Sequence, residues 1–169
     1  LNQPDEEINA YLTGLEKVST EENAIRLMFG LGAAYEQLGR YEEAIETFEK
    51  LLKNAPNHAP SLNYLGYMLA DRNERLDYAY ELLKRAIEIS PDNPAYLDSY
   101  GWVLYRMGRY QDALVYLERA VALDTDPIMF DHLGDIYRAL DKLPEARQAW
   151  ERALELDPDN ENVREKVRP

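Results

Sequence analysis

A glycine recurs along this chain at Gly32, Gly66, Gly101 and Gly134, at spacings of 34, 35 and 33 residues. An alanine follows each one, at Ala44, Ala79, Ala113 and Ala146, after 12, 13, 12 and 12 residues. This periodicity constrains the fold more than any single residue does. A unit of about 34 residues is one helical hairpin that cannot bury its apolar face alone, so neighbouring units must stack. The expected product is an extended array rather than a closed globule. The functional question then becomes which surface the array presents.

The apolar spacing within each unit is helical. Met28, Leu31 and Tyr35 are three and four residues apart, and so are Leu62, Leu65 and Leu69, so each set lies on one helix face. The glycine beside that stripe costs roughly 1 kcal/mol against alanine inside a helix, so packing must offset it. Close approach of a second helix is the expected reason, with Ala44 and its equivalents as the small residues opposite. Gly39 and Gly108 fall at the turn inside a hairpin, where a left-handed residue ends the first helix. Asn73 and Asp141 take that place in the second and fourth units, as the next most tolerant residue types. Pro56, Pro91 and Pro158 stop the second helices, and the third unit lacks that proline. The register slips twice, by a gain in the 71–75 turn and a loss between Ala120 and Gly134, both where length changes are tolerated.

The units spell Met28-x2-Leu31-Gly32-x2-Tyr35, Ala44-x3-Phe48, Pro56; Leu62, Leu65-Gly66, Leu69, Ala79, Leu83, Pro91; Leu97, Tyr100-Gly101, Leu104, Ala113, Leu117; and Phe130, Leu133-Gly134, Tyr137, Ala146, Trp150, Pro158. From about Ile25 to Asn160 this resembles the tetratricopeptide repeat (TPR) family, whose pattern is W-x2-L-G-x2-Y…A-x3-F…P. The resemblance implies an all-α, right-handed solenoid of antiparallel helix hairpins. The chain then divides as a single TPR array into repeats at 25–58, 59–93, 94–126 and 127–160. Residues 4–24 precede them as a partial repeat and connection. Its amphipathic helix, with Ile8, Leu12, Leu15 and Val18, looks like a second helix without its first. Ser19-x-x-Glu22 reads as the capping box of the next helix. Residues 161–169 start a truncated helix. Neither end carries a full polar cap and Leu1 is not an initiator methionine, so we read the chain as a segment of a longer protein.

Composition excludes several functions. The net charge is −13, with acidic residues spread through the repeats. Such a surface argues against binding nucleic-acid backbone or anionic lipid, and solubility also accounts for it. There is no cysteine, hence no disulfide and no thiolate metal site. No apolar run reaches the ~18 residues of a membrane span, so no direct membrane insertion by this segment is expected. His58 falls in a turn, and His132 sits between Asp131 and Asp135 on a helix. That acidic pair, on one face with the histidine, is read as a solvated polar surface rather than a cation site. No phosphate-cradling loop or nucleophile elbow is present, and only Gly14 and Gly30 lack a role in the hairpins. No catalytic residue, metal or cofactor is expected.

One stripe of each first helix is left after packing. Counted from Ile25, Ala59, Pro94 and Pro127, it comprises positions 2, 5, 9, 12 and 13. The TPR resemblance implies that this stripe lines a concave groove that holds partners. The partner-binding set is Arg26, Phe29, Asn63, Tyr67, Asp98, Trp102, Tyr105, Arg106, Asp131, Asp135 and Arg138. Ala33, Glu36, Gln37, Asp71 and Ile128 complete the stripe. Trp102 is either an aromatic anchor for a partner or a core residue packed sideways on Tyr67 and the next helix. Tyr67 and Tyr105 carry the same two alternatives. Asn63 and Asp98 either bond the backbone of an extended peptide or are simply solvated. The Lys/Asn/Asn/Lys/Arg clamp that some TPR proteins use for a C-terminal carboxylate is not matched, because Phe29, Ala33, Tyr64, Ala95 and Ser99 stand at its places.

Three strings, Asn63 to Asp71, Ala95 to Val103 and His132 to Asp135, go beyond the generic pattern. They resemble the C-terminal part of bacterial TPR proteins, including outer-membrane lipoprotein adaptors of carboxyl-terminal-processing proteases. That resemblance implies a periplasmic or outer-membrane-associated scaffold, with the cytoplasm as the alternative. The expected function is a non-catalytic protein–protein interaction scaffold that binds a peptide segment or partner protein. The first alternative is structural self-association through the uncapped ends or the convex face, giving a homo-oligomer. An enzyme ranks third.

Overall fold

The computed structural model describes residues 3–168, with side chains from residue 6. Regular structure among the described residues is entirely α-helical. The elements are α1 (Gln3–Lys17), α2 (Glu21–Gln37), α3 (Tyr41–Asn54), α4 (Ala59–Asp71), α5 (Leu76–Ile89), α6 (Pro94–Arg106), α7 (Tyr110–Leu123), α8 (Pro127–Ala139), α9 (Leu143–Leu156) and α10 (Glu161–Val167). None of these helices is long and apolar enough to cross a membrane. The chain forms two compact units that divide between Leu65 and Gly66, inside α4.

In the first unit, α2 and α3 form a hairpin around Phe48, Leu51 and Ala44, all fully buried. Gly32 is small because Phe48 needs its space: a Cβ there would lie 2.7 Å from the ring. Helix α1 packs on α2 as Ile8 joins Leu31 and Ala34, flanked by Tyr11, Leu15 and Tyr35. This contact accounts for the two glycines without a hairpin role. A Cβ on Gly30 would lie 2.5 Å from the Tyr11 ring, and one on Gly14 would lie 3.3 Å from Leu27. The apolar face of α1 differs from the expected stripe. Leu12 is 41% exposed, Tyr11 takes its place against α2, and Val18 lies beyond the end of the helix. The capping box also shifts by one residue. Thr20, not Ser19, is the N-cap, and its hydroxyl accepts the Asn23 N–H at 3.4 Å. Because α2 begins at Glu21, residue 23 rather than Glu22 occupies the third helical position. Glu21 and Glu22 instead supply negative charge to the positive end of the helix dipole.

In the second unit the same device recurs. A Cβ on Gly66 would lie 2.5 Å from Leu83 and 3.2 Å from the Ala79 carbonyl. One on Gly101 would collide with Leu117, and one on Gly134 with the Trp150 indole. The turn residues Asn73, Gly108 and Asp141 have φ of 57°, 77° and 60°, the left-handed values the sequence demands. Arg75 is left-handed too, at φ 46°, where the second repeat carries its extra residue. Asn93, Asp126 and Asn160 cap α6, α8 and α10 with side-chain oxygens. The short α10 is not a loose stub. Val163 is 1% exposed and packs on Ala146, Trp150 and Ala153, so it covers a face expected to stay open.

Candidate partner-binding groove

The stripe of the first unit is built from aromatic rings. Phe29 on α2 meets Phe48 edge-on at 5.5 Å, His58 at 6.2 Å and Tyr64 at 5.4 Å. Tyr64 stacks on Phe48 at 5.0 Å and donates its hydroxyl to Glu36 at 3.2 Å. Burial, reinforced by the Glu36 charge, pushes the Tyr64 phenol up to about 12. His58 Nδ1 is hydrogen-bonded to the Ser61 hydroxyl at 2.8 Å, and its partial burial lowers its pKa below 6.5. Beside these rings lies a cleft of about 570 Å³ lined by Ile25, Arg26, Phe29, His58 and Pro60, with Glu21 and Glu22 at its rim. Phe29 is half-buried, Arg26 is exposed, and the Arg26 guanidinium donates to Asn23 at 3.1 Å. Asn63 is half-buried, with a side-chain oxygen that is buried and has no hydrogen-bond partner.

The stripe of the second unit is already engaged. Asp98 is buried and accepts a hydrogen bond from His132 Nδ1 at 2.9 Å. Trp102 is 6% exposed. Its ring stacks on His132 at 4.0 Å and on Tyr105 at 4.9 Å, and the Arg106 guanidinium lies 5.7 Å above it. Trp102 is therefore packed, and the ring it meets on α8, the first helix of the next repeat, is His132. Tyr67 lies 6.1 Å from the same imidazole. The indole N–H of Trp102 is buried without a partner. Asp131 and Asp135 hold the ammonium of Lys166 at 2.6 and 2.9 Å, and Asp135 also accepts from Arg138 at 3.1 Å. Arg138 in turn lies 5.2 Å from the Trp150 ring. A cleft of about 600 Å³ runs past Asp71, Trp102, His132, Asp131, Asp135 and Arg138 to Asn162, Glu165 and Lys166 of α10.

Two expectations need correction here. His132 does not lie on a solvated face, because it is 6% exposed. The Asp131–Asp135 pair is not a bare acidic surface either, since a lysine of this chain neutralises it. Among the described residues no group of three or more acidic or histidine side chains could hold a metal ion. The reason for both corrections is one packing rule. Residue six of the following repeat sits over residue five in the first unit, and over residues five and nine where repeat four meets repeat three and where α10 meets repeat four. Tyr64 covers Phe29, His132 covers Asp98 and Trp102, and Lys166 covers Asp131 and Asp135. Reading residue six beside the stripe, 34 or 35 residues onward, exposes these pairs in the sequence. A stripe read within one repeat does not.

Electrostatics follow from this burial. For His132 burial is the largest single influence and opposes the charged ring. The charge and hydrogen bond of Asp98, with Asp131 and Asp135 behind them, together outweigh it and raise the pKa above 6.5. Burial, then the carboxylates of Asp71, Asp98, Asp131 and Asp126, hold the Tyr67 phenol well above 10.

Comparison with known proteins agrees with this architecture. Family profiles described as tetratricopeptide repeat match residues 8–59, 29–94 and 94–127, and one described as TPR repeat matches 134–166. The TPR repeat-containing protein PA4667 of Pseudomonas aeruginosa is 31% identical over 150 residues, covering 79% of this chain and 25% of that protein. The chain spans 25%, 33% and 27% of the length of the first three curated relatives it matches. Among solved structures, the thermophilic TPR protein TTC0263 of Thermus thermophilus superposes with a TM-score of 0.72 at 21% identity, over 97% of this chain and 96% of that one. MamA of Desulfovibrio magneticus RS-1 gives 0.68 at 20% identity, over 95% and 98%. At these identities the likeness is one of fold.

Proposed function

Because this chain belongs to the tetratricopeptide repeat family, whose members generally bind other proteins, we propose that it is an interaction scaffold whose partner segment enters the cleft of the first unit. The observation that carries this reading is the difference in lining along the stripe, apolar in the first unit and charge-paired in the second. In the second unit Asp98, Trp102, Asp131 and Asp135 are engaged by side chains of the following repeat. In the first unit Phe29, Ile25 and Pro60 form an apolar floor open to solvent, with the exposed Arg26 beside it. The chemistry fits an extended peptide that buries an apolar side chain on Phe29 and offers a carboxylate to Arg26. The rim of Glu21 and Glu22 disfavours a peptide whose flanking residues are acidic.

Selection from a random displayed-peptide library, followed by calorimetry, tests this. The selected sequences should carry an apolar residue near one carboxylate, and Phe29→Ala should weaken them by roughly 2 kcal/mol, the loss of an aromatic anchor. Peptides that bind Phe29→Ala and the parent equally would sink the reading.

The finer reading is an adaptor in a bacterial envelope, periplasmic or outer-membrane-associated. It is supported by the resemblance of the Asn63–Asp71, Ala95–Val103 and His132–Asp135 strings to protease adaptors. Fractionation of cells carrying the natural gene tests it, and recovery in the cytoplasm would exclude it. Self-association through the ends draws support from exposed Leu12 on α1, whereas Val163 covers Trp150 at the other end.

A further inference from the structure

His132 is a buried imidazole that the partner reading leaves unused, and its surroundings are those of a sensor. It bridges two repeats: the ring belongs to α8, and its hydrogen-bond partner Asp98 and stacking partner Trp102 belong to α6. Three elements besides its own place titratable or charged groups toward it. From α4 come Tyr67, whose ring is 6.1 Å away, and Asp71 in the same cleft. From α6 come Asp98 and, behind the Trp102 ring, Arg106. From α10 comes Lys166, which binds the two carboxylates that flank His132 on its own helix. Arg138 binds one of them, and Asp126 caps the start of the same helix.

We propose that His132 is a charge-state lock between the third and fourth repeats: the imidazolium pins α8 to α6, and loss of its proton loosens that joint and uncovers Trp102. The physical basis is asymmetry. A neutral imidazole still donates one hydrogen bond to Asp98, but it leaves that carboxylate, 6% exposed, without a compensating charge, which is costly for a buried group. The buried indole N–H of Trp102 has no bond of its own to hold the ring once the stack loosens. The sign is fixed by the local carboxylates. Burial works against the charged ring, and Asp98, Asp131 and Asp135 more than restore it, so the folded chain holds the proton above pH 6.5. The lock is then fully engaged below that pH and is lost as pH rises through the raised midpoint. Lys166 acts as its trimmer, because it screens two of the carboxylates that favour the charged ring.

The chain has two histidines, so the ring protons of His132 can be followed by NMR with His58 as an internal reference. In the intact chain His132 should titrate with a midpoint above 6.5, and the emission of Trp102, read in a Trp150→Phe background, should change at the same midpoint. Asp98→Asn should move the midpoint down and flatten the fluorescence change. Lys166→Met should move it up. Both variants keep the histidine, so the test survives even if His132→Gln fails to fold. A midpoint at or below 6.5, an emission that ignores it, or shifts of the same sign in the two variants would each overturn the proposal. A purely structural role would lower melting temperature in both variants without moving the midpoint in opposite directions. The outcome is independent of whether any peptide binds at Phe29.

Discussion

The two units place residue six of one repeat over residue five of the last, but they fill that seat with different chemistry. In the first unit Tyr64 lies on Phe29, ring against ring. In the second unit His132 lies on Asp98 and Lys166 on Asp131, a basic side chain against a carboxylate. The aromatic seat needs no counter-charge, so it leaves an apolar surface that a partner can use. The ionic seat must be satisfied internally, because a charge taken out of water is tolerated only with its partner in place. A shared backbone geometry therefore yields a cleft with an apolar floor in one unit and a cleft walled by charge-paired side chains in the other. The two histidines repeat the contrast. Burial without a counter-ion lowers the pKa of His58, and burial among carboxylates ends with that of His132 raised.

The sharpest way to break this comparison is Trp102→Ala. The ring is buried between His132 and Tyr105, so its removal should cost about 3–5 kcal/mol in a denaturant titration, with helicity retained at low denaturant. A cost under about 1 kcal/mol would return Trp102 to the groove as a surface anchor. Gly101→Leu should cost roughly 1–3 kcal/mol, because its Cβ position is taken by Leu117 and lies 3.2 Å from the Ala113 carbonyl. Parent-like stability there would mean that α6 and α7 are not in close contact.

Asp98→Ala strips a buried partner from His132 and should cost about 1–3 kcal/mol at neutral pH, a loss that changes with pH. Phe29→Ala loses edge contacts with Phe48 and Tyr64 as well as binding, and its stability loss should not follow the His132 titration. The same pH dependence in the two variants would erase the distinction between seats. The histidines provide a pH test of the same idea. His58, with its lowered pKa, favours folding above pH 6.5, and that contribution is lost as pH falls through its folded value; His132 does the reverse. NMR midpoints on the same side of 6.5 would contradict it. The smallest effect should come from Arg147→Gln. Its pair with Glu151 is more than half exposed on both sides, and melting should change by less than about 0.5 kcal/mol.

Much of this is legible in the residues alone. The glycine and alanine periods locate the helix crossings because only small residues let two helices come that close, and the Cβ positions of Gly32, Gly66, Gly101 and Gly134 are all occupied by the facing helix. Gly14 and Gly30 are not legible, since their contacts with Leu27 and Tyr11 join α2 to α1, a helix that precedes the regular repeats. The groove stripe is legible as a set of positions but not as a set of free side chains. Asp98 and Asp135 read as solvated or partner-facing because acidic residues usually are, and their cations sit 34 and 31 residues away.

The hairpin, its length, its turns and its crossing points are written in the residue pattern. Those depend on backbone strain and on side-chain size within about one repeat, which a periodic pattern displays directly. Only the tertiary structure decided which stripe residues face solvent. That depends on where residue six of the following repeat lands, and the landing point is set by how hairpins stack rather than by any local preference. His132 shows the difference most plainly. Between two aspartates on a helix it looks like a wetted surface, and the stacking of α8 on α6 turns it into a buried imidazole bonded across two repeats.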